Sequence, residues 1–183
     1  MTMTQILIEY ASAKGSTEGI ARKIGERCEE LGVHTEIVSV EEDPVFDRFD
    51  ALILGSAVHD RDWLPTARAA VARLTALDTG PPVWAFSVST WGSTSTLLGS
   101  RLTRRIRATA GEPNTVARLR SLSDLRAHRQ FAGVVRRGDW PPFGRIVFAL
   151  MGGKYGDARD WSDVERWAEG IVAQLRSETE HVD

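Results

Sequence analysis

The residues best placed to do chemistry stand together at Ser12-Ala13-Lys14-Gly15-Ser16-Thr17. They lie between a short apolar run and a helical pattern. Hydroxyls, backbone N–H groups and the positive end of a helix dipole are what a phosphate dianion requires, and Gly15 lets the backbone approach it closely. The same composition also suits an ordinary N-capping turn with Ser16 or Thr17 as the cap. The segment is not a Walker-A loop, because no Gly-Lys-Ser/Thr follows a glycine and four residues, and it has no G-x-G-x-x-G. Two further polar clusters follow later apolar runs: Ala57-Val58-His59, continuing through Asp60, Arg61, Asp62 and Trp63, and Ser87-Val88-Ser89-Thr90-Trp91-Gly92. Among these residues His59 is the one candidate for a general acid or base. Cys28 falls on an apolar helical stripe and reads as a core residue.

The elements that must position these clusters alternate along the chain. Gln5 to Tyr10 reads as a first, central strand. Ile20, Ile24, Cys28 and Leu31 recur at helical spacing, with Gly32 where a left-handed cap is wanted. Val33 to Val40 is a second strand, and Ala51 to Leu54 a third, apolar enough to be covered on both faces. Pro65 opens a helix through Ala69, Val71, Ala72, Leu74 and Leu77. Pro82 to Val88 is a fourth strand, Leu97 to Ala110 a helix with a basic face of Arg101, Arg104, Arg105 and Arg107, and Phe131 to Val135 a fifth strand. A last helix starts near Ser162, where Ser162 and Glu165 have the spacing of a capping box. Such alternation implies right-handed crossovers and a parallel sheet with helices on both faces, its ligands held at the carboxyl ends of the strands.

The 183 residues suit one domain, 42% of them hydrophobic and 26% charged. A net charge of −2 excludes the basic excess of a nucleic-acid binder. Lys occurs only at 14, 23 and 154, and Arg supplies the rest of the 23 cations. No run of roughly 18 apolar residues is present to span a bilayer, and no leader pattern opens the chain, so a cytoplasmic protein is expected. One cysteine rules out an intrachain disulfide, and no metal site is expected.

The loop at 12–17 resembles the phosphate signature of flavodoxins: Ser or Thr, two variable residues, Gly, one more residue, then Thr opening the first helix. The resemblance implies an α/β, flavodoxin-like, doubly wound five-stranded parallel sheet of order 2-1-3-4-5 with helices on both faces. It also implies FMN as cofactor. FMN is expected over FAD because the loop serves one terminal phosphate and no pyrophosphate motif is present. In that family the loop after the third strand lays a side chain over one face of the flavin ring, which puts Ala57, Val58 and His59 at the site. Trp63 either covers the ring edge or tucks the loop into the core. The loop after the fourth strand contacts the pyrimidine edge, which brings in Ser87, Val88, Ser89, Thr90, Trp91 and Gly92, with Trp91 a candidate for the second face.

The C-terminal third is similar to the quinone-dependent protoporphyrinogen IX dehydrogenases of flavodoxin fold. The resemblance rests on Arg136-Arg137, Trp140-Pro141-Pro142-Phe143, the apolar Ile146 to Met151, Gly152-Gly153 and Asp160-Trp161. It implies a porphyrinogen or other reduced small-molecule donor, a quinone acceptor and a peripheral contact at the inner face of a membrane. The sequence departs from that subfamily after the fourth strand, where a long basic insertion is missing and the loop is rich in Ser, Thr and Gly. His59, Arg61 and Lys14, offset by Asp60 and Asp62, leave the flavin surroundings less acidic than in carrier flavodoxins, which favours a dehydrogenase that donates to a high-potential acceptor. The alternative is an electron-carrying flavodoxin with no substrate of its own. The segment from Trp140 to Met151 is either a substrate or membrane contact or part of the covering layer.

Overall fold

The computed structural model describes residues 4–77, 79–139 and 141–179. Strands β1 (Gln5–Ala11), β2 (His34–Ser39), β3 (Ala51–His59), β4 (Asp62–Trp63), β5 (Val83–Ser89) and β6 (Leu125–Ala132) make one six-stranded sheet. Its five-strand path runs β2-β1-β3-β5-β6 with every neighbour parallel, and β4 adds antiparallel to the end of β3. In chain order of the five parallel strands this is 2-1-3-4-5, as the sequence implied. Helices α1 (Ser16–Glu30) and α6 (Trp161–Thr179) cover one face, and α2 (Pro65–Leu74) and α4 (Asn114–Leu122) the other.

The pleat sorts alternate residues of each strand between the two faces. Ile6, Ile8, Ile53 and Phe86 meet Ile20, Ile24, Ala168 and Ile171 under α1 and α6. Leu7, Leu52, Leu54 and Ala85 meet Ala67, Val71, Leu74, Val116 and Leu119 on the other side. Each aliphatic side chain buried in this way stabilises the fold by about 1.5–3 kcal/mol. Phe86, Phe131 and Trp167 interlock edge to face, with ring centroids 5.7–6.1 Å apart. Cys28 is a core residue, and burial pushes its thiol up to about 12. Gly32, at φ 78°, supplies the expected left-handed stop after α1.

Glu9 lies fully buried in this sheet, on the face of α2. Arg73 of α2 donates to its Oε1 at 2.8 Å and also contacts Asp43, while Glu9 Oε2 has no partner. Loss of water outweighs the attraction of Arg73, so the carboxyl is raised from 4.5 to about 7.

Three expectations change. The fifth parallel strand is Leu125–Ala132 and not Phe131–Val135; Val134–Val135 is a separate short strand, β7, paired antiparallel with β8 (Gly156–Asp157). β6 is an edge strand with a bulge near its start, so its apolar residues are few and change phase. The helix after the fourth parallel strand is α3 (Ser100–Thr109), and α4 follows as an additional helix behind Pro113. The final helix is capped by Asp160, whose carboxylate accepts from the Asp163 N–H at 3.1 Å, and not by a Ser162–Glu165 box; Glu165 instead pairs with Lys23.

The segment ahead of α6 forms α5 (Pro142–Leu150). Phe148 joins Leu97, Leu98 and Val135 in a small third core, whereas Phe143, Ile146 and Leu150 are exposed, Leu150 by 83%. Phe148 thus belongs to the covering layer, while Phe143, Ile146 and Leu150 do not; Trp140 lies outside the described residues. Among the described residues no helix is long and apolar enough to cross a membrane, and no cluster of His, Cys, Asp or Glu could hold a metal ion.

Candidate functional site

The loop from Ser12 to Gly15 joins the end of β1 to α1. Gly15 is the N-cap residue and adopts φ 87°, a conformation that a side chain would strain. Its N–H donates to Ser12 Oγ at 2.9 Å, which fixes the loop, and its carbonyl starts the helix by accepting from Gly19. Neither Ser16 nor Thr17 caps the helix, since no side chain does. Thr17 is fully buried, yet its Oγ1 has no hydrogen-bond partner. A buried hydroxyl without a partner costs about 1–3 kcal/mol, so this one calls for a ligand. The first N–H groups of any α-helix also lack acceptors within it. Lys14 is held at Asp139, 3.0 Å from its carboxylate and 3.2 Å from its carbonyl, so its charge is already shared. Ser12, Ser16 and Thr17 with the start of α1 thus fit a phosphate group.

The second cluster is a hairpin. Asp60 and Arg61 both adopt positive φ, 50° and 67°, which makes the two-residue turn that returns β4 against β3. Alternation then sends Trp63 inward: it is 2% exposed, and its Nε1–H donates to Ser87 Oγ at 2.7 Å. Trp63 is a core residue. His59 stands at the hairpin end with its side chain 77% exposed, 3.1 Å from Asp60. Ala57 and Val58 are half-buried beneath it. Asp62 pins the hairpin to α4 by accepting the Thr115 N–H at 3.0 Å.

In the third cluster Ser87 and Val88 are interior, while Ser89, Thr90 and Trp91 are half-buried at the strand end. Gln130 of β6 donates to Ser89 Oγ at 3.1 Å. Gly92 passes so close to β6 that a Cβ there would sit 2.3 Å from the Ala132 nitrogen. Arg107 holds the same turn by donating to the Gly92 carbonyl at 2.6 and 2.9 Å.

A cavity of about 770 Å³ opens between the hairpin and this third loop. That volume is in the range of small-molecule sites. Of the residues expected from sequence, Val58, Arg61, Ser89 and Trp91 line it; the loop at 12–17 is a separate feature at the head of α1. His128 and Gln130 of β6 and the α3–α4 connection, Glu112 included, complete the wall. His128 Nε2 lies 2.8 Å from Ser87 Oγ, and burial lowers the imidazole from 6.5 to about 4, so it is neutral at physiological pH. Sequence reading missed these wall residues, because it placed the fifth strand after them.

Over residues 7–149 the sequence matches the family described as flavodoxin domain. Solved structures with the same fold include rubredoxin oxygen:oxidoreductase of Desulfovibrio gigas, at TM-score 0.59 and 17% identity, over 96% of this chain and 37% of that one. The chain thus spans little more than a third of that oxidoreductase. Flavodoxin 1 of Bacillus cereus aligns at TM-score 0.58 and 14% identity, over 93% of this chain and 98% of its own. A variant flavodoxin of Fusobacterium nucleatum bound to flavin mononucleotide aligns at 0.55 and 15%, over 96% and 97%. No curated protein matches the chain.

Proposed function

Because the chain belongs to the flavodoxin domain family, we propose that it is an FMN-dependent oxidoreductase of the protoporphyrinogen IX dehydrogenase type, passing electrons from a reduced small molecule to a quinone. The unpartnered, buried Thr17 Oγ1 at the head of α1 carries the flavin reading. When bound, FMN supplies reversible one- and two-electron transfer. The chain does the rest. Ser12, Ser16, Thr17 and the first turn of α1 hold the phosphate, with Ala13, Lys14 and Gly15 forming the backbone around it. The hairpin with Ala57, Val58 and His59 and the turn with Ser89, Thr90, Trp91 and Gly92 flank the ring. Ser87 and Val88 support that turn from inside.

His59, Arg61 and Lys14, offset by Asp60 and Asp62, support a dehydrogenase that donates to a high-potential acceptor over a low-potential carrier. The carrier remains the second reading, favoured by the fact that this chain aligns with nearly the whole B. cereus flavodoxin. Anaerobic reduction by protoporphyrinogen IX and reoxidation by a menaquinone analogue is expected of the dehydrogenase. Reduction only by a reductase protein would assign the carrier.

The purified protein is expected to retain FMN, but not FAD, through desalting. An absorbance scan that shows a featureless protein spectrum after FMN addition would refute the flavin reading.

Quinones dissolve in membranes, and the exposed face of α5 suits a bilayer surface. Phe143, Ile146 and Leu150 project there beside Arg137 and Arg145, a combination that binds anionic headgroups and shallow acyl chains. The pair Phe143→Ser and Leu150→Ser is expected to cut co-sedimentation with phosphatidylglycerol vesicles at least tenfold while FMN content and melting temperature stay put. A wild-type protein that stays in the supernatant would remove the membrane from the proposal.

A further inference from the structure

The positive charge of α3 is not balanced where it stands. From residue 79 to residue 111 the chain contains no Asp or Glu, yet α3 carries Arg101, Arg104, Arg105 and Arg107. Arg107 is used inside the protein, donating to the Gly92 carbonyl and, at 3.1 Å, to that of Ser95. Arg101, Arg104 and Arg105 are exposed, and among the described residues none of them pairs with a carboxylate or donates a hydrogen bond. Other exposed arginines are paired: Arg22 with Glu18, Arg48 with Glu36 and Arg126 with Glu178, at 2.6–2.9 Å. Positions 101, 104 and 105 share one helix face, where like charges repel. Arg101 also lies in the first turn, where the helix dipole disfavours a cation and no acidic residue offsets it. The arrangement costs helix stability and gains nothing within the protein. It is nevertheless held firmly, since Leu102 and Ile106 pack on the third core and Thr103 Oγ1 meets Thr96 Oγ1 at 2.9 Å.

We propose that this face of α3 docks an acidic protein, whose carboxylates pair with Arg101, Arg104 and Arg105. Guanidinium forks match carboxylates through two parallel hydrogen bonds. The three arginines span only about 6 Å of helix axis, which suits a compact cluster of carboxylates and not the running phosphates of a nucleic acid. The net charge of −2 also repels a polyanion over the rest of the surface, so attraction is confined to α3. Among the described residues none of the exposed large apolar side chains is on α3, so, unlike α5, it has nothing to sink into a bilayer. Ile106 and Thr109 of the same helix line the cavity, which puts the docked protein at its rim. The docking adds a protein contact to the activity proposed above and does not depend on it.

The probe is poly-L-glutamate, titrated by calorimetry into the purified protein near 0.01 M ionic strength, where charges act over about 30 Å. Replacing Arg101, Arg104 and Arg105 together with Gln is expected to weaken binding by roughly 3- to 150-fold, the loss of three exposed ion pairs, and to flatten its dependence on salt. FMN content and melting temperature should not change. The triple variant Arg22→Gln, Arg48→Gln, Arg126→Gln has the same net charge but removes arginines that are already paired, and it should bind as the wild type does. An unchanged dissociation constant in the α3 variant overturns the proposal, and so does an equal loss in the two variants, which would reduce the effect to overall charge. Oligothymidine and phosphatidylglycerol vesicles are titrated in parallel; a larger loss for either of them in the α3 variant would assign the face to nucleic acid or to a bilayer and overturn the protein partner. FMN content, read by absorbance in the same samples, reports separately on the flavin assignment.

Discussion

Thr17→Val is expected to weaken FMN binding by roughly 10- to 150-fold, the loss of one hydrogen bond to a charged group, without harming the fold. The reason is the condition of the hydroxyl. Thr17 is fully buried and its Oγ1 bonds to no protein atom, so replacing it with a methyl removes a desolvated polar group and leaves the shape nearly unchanged. The FMN-free variant should therefore be as stable as the wild type, or more so by up to about 1–3 kcal/mol. Stability and affinity move in opposite directions, which a general packing defect cannot produce. Flavin fluorescence titration gives the affinity and urea denaturation of the FMN-free protein the stability. An unchanged FMN dissociation constant would place the phosphate elsewhere.

The second large effect is on stability against pH. Glu9 holds its proton in the native state up to about pH 7, whereas in the unfolded chain it ionises near 4.5. Its contribution is thus full below pH 4.5 and lost as pH rises to about 7. His128 behaves in the opposite sense: the unfolded imidazole takes a proton near 6.5, the native one only near 4, so stability is lost as pH falls through that interval. Each shift corresponds to about 3 kcal/mol. Their windows overlap, so in the wild type the two trends largely cancel between pH 4.5 and 6.5. Glu9→Gln removes one of them, and the variant should lose about 3 kcal/mol on acidification from pH 6.5 to 4. His128→Gln should gain a similar amount between pH 7 and 4.5. Urea midpoints across pH 4 to 8 measure both, and profiles that match the wild type in shape would show that neither group titrates as its burial requires.

Glu9 also shows where sequence reading stops. Gln5 to Tyr10 reads as a central strand, but nothing local marks Glu9 as a buried carboxyl, and only Arg73, sixty-four positions away, makes its burial tolerable. What could be read were features set by local rules: the stop at Gly32, Pro65 at the start of α2, and the apolar strands covered on both faces. The hairpin at Asp60-Arg61 escaped because its two left-handed residues are neither Gly nor Asn, the usual markers of that turn. β6 escaped for a different reason. Leu125 faces α2 and α4, but the bulge shifts the phase so that Ala127 and Phe131 face α1 and α6. A short strand whose alternation breaks near its start leaves little period-2 signal. With β6 misplaced, His128 and Gln130 were invisible as site residues, and so was the cavity wall they form.

The sheet divides the molecule into two apolar layers that do not touch through it, and the two parts of the site fall on different sides of that division. The loop at 12–17 belongs to the layer of α1 and α6, whereas Val58, Ser89 and His128 belong to the layer of α2 and α4. A ligand that engages both reaches over the carboxyl edge of the sheet and fastens one layer to the other. Local opening of either layer then releases it, so ligand occupancy penalises both openings by the same RT ln(1 + [L]/Kd). Amides beneath α6 and amides beneath α4, which are independent in the empty protein, become protected from hydrogen exchange together when the ligand is bound.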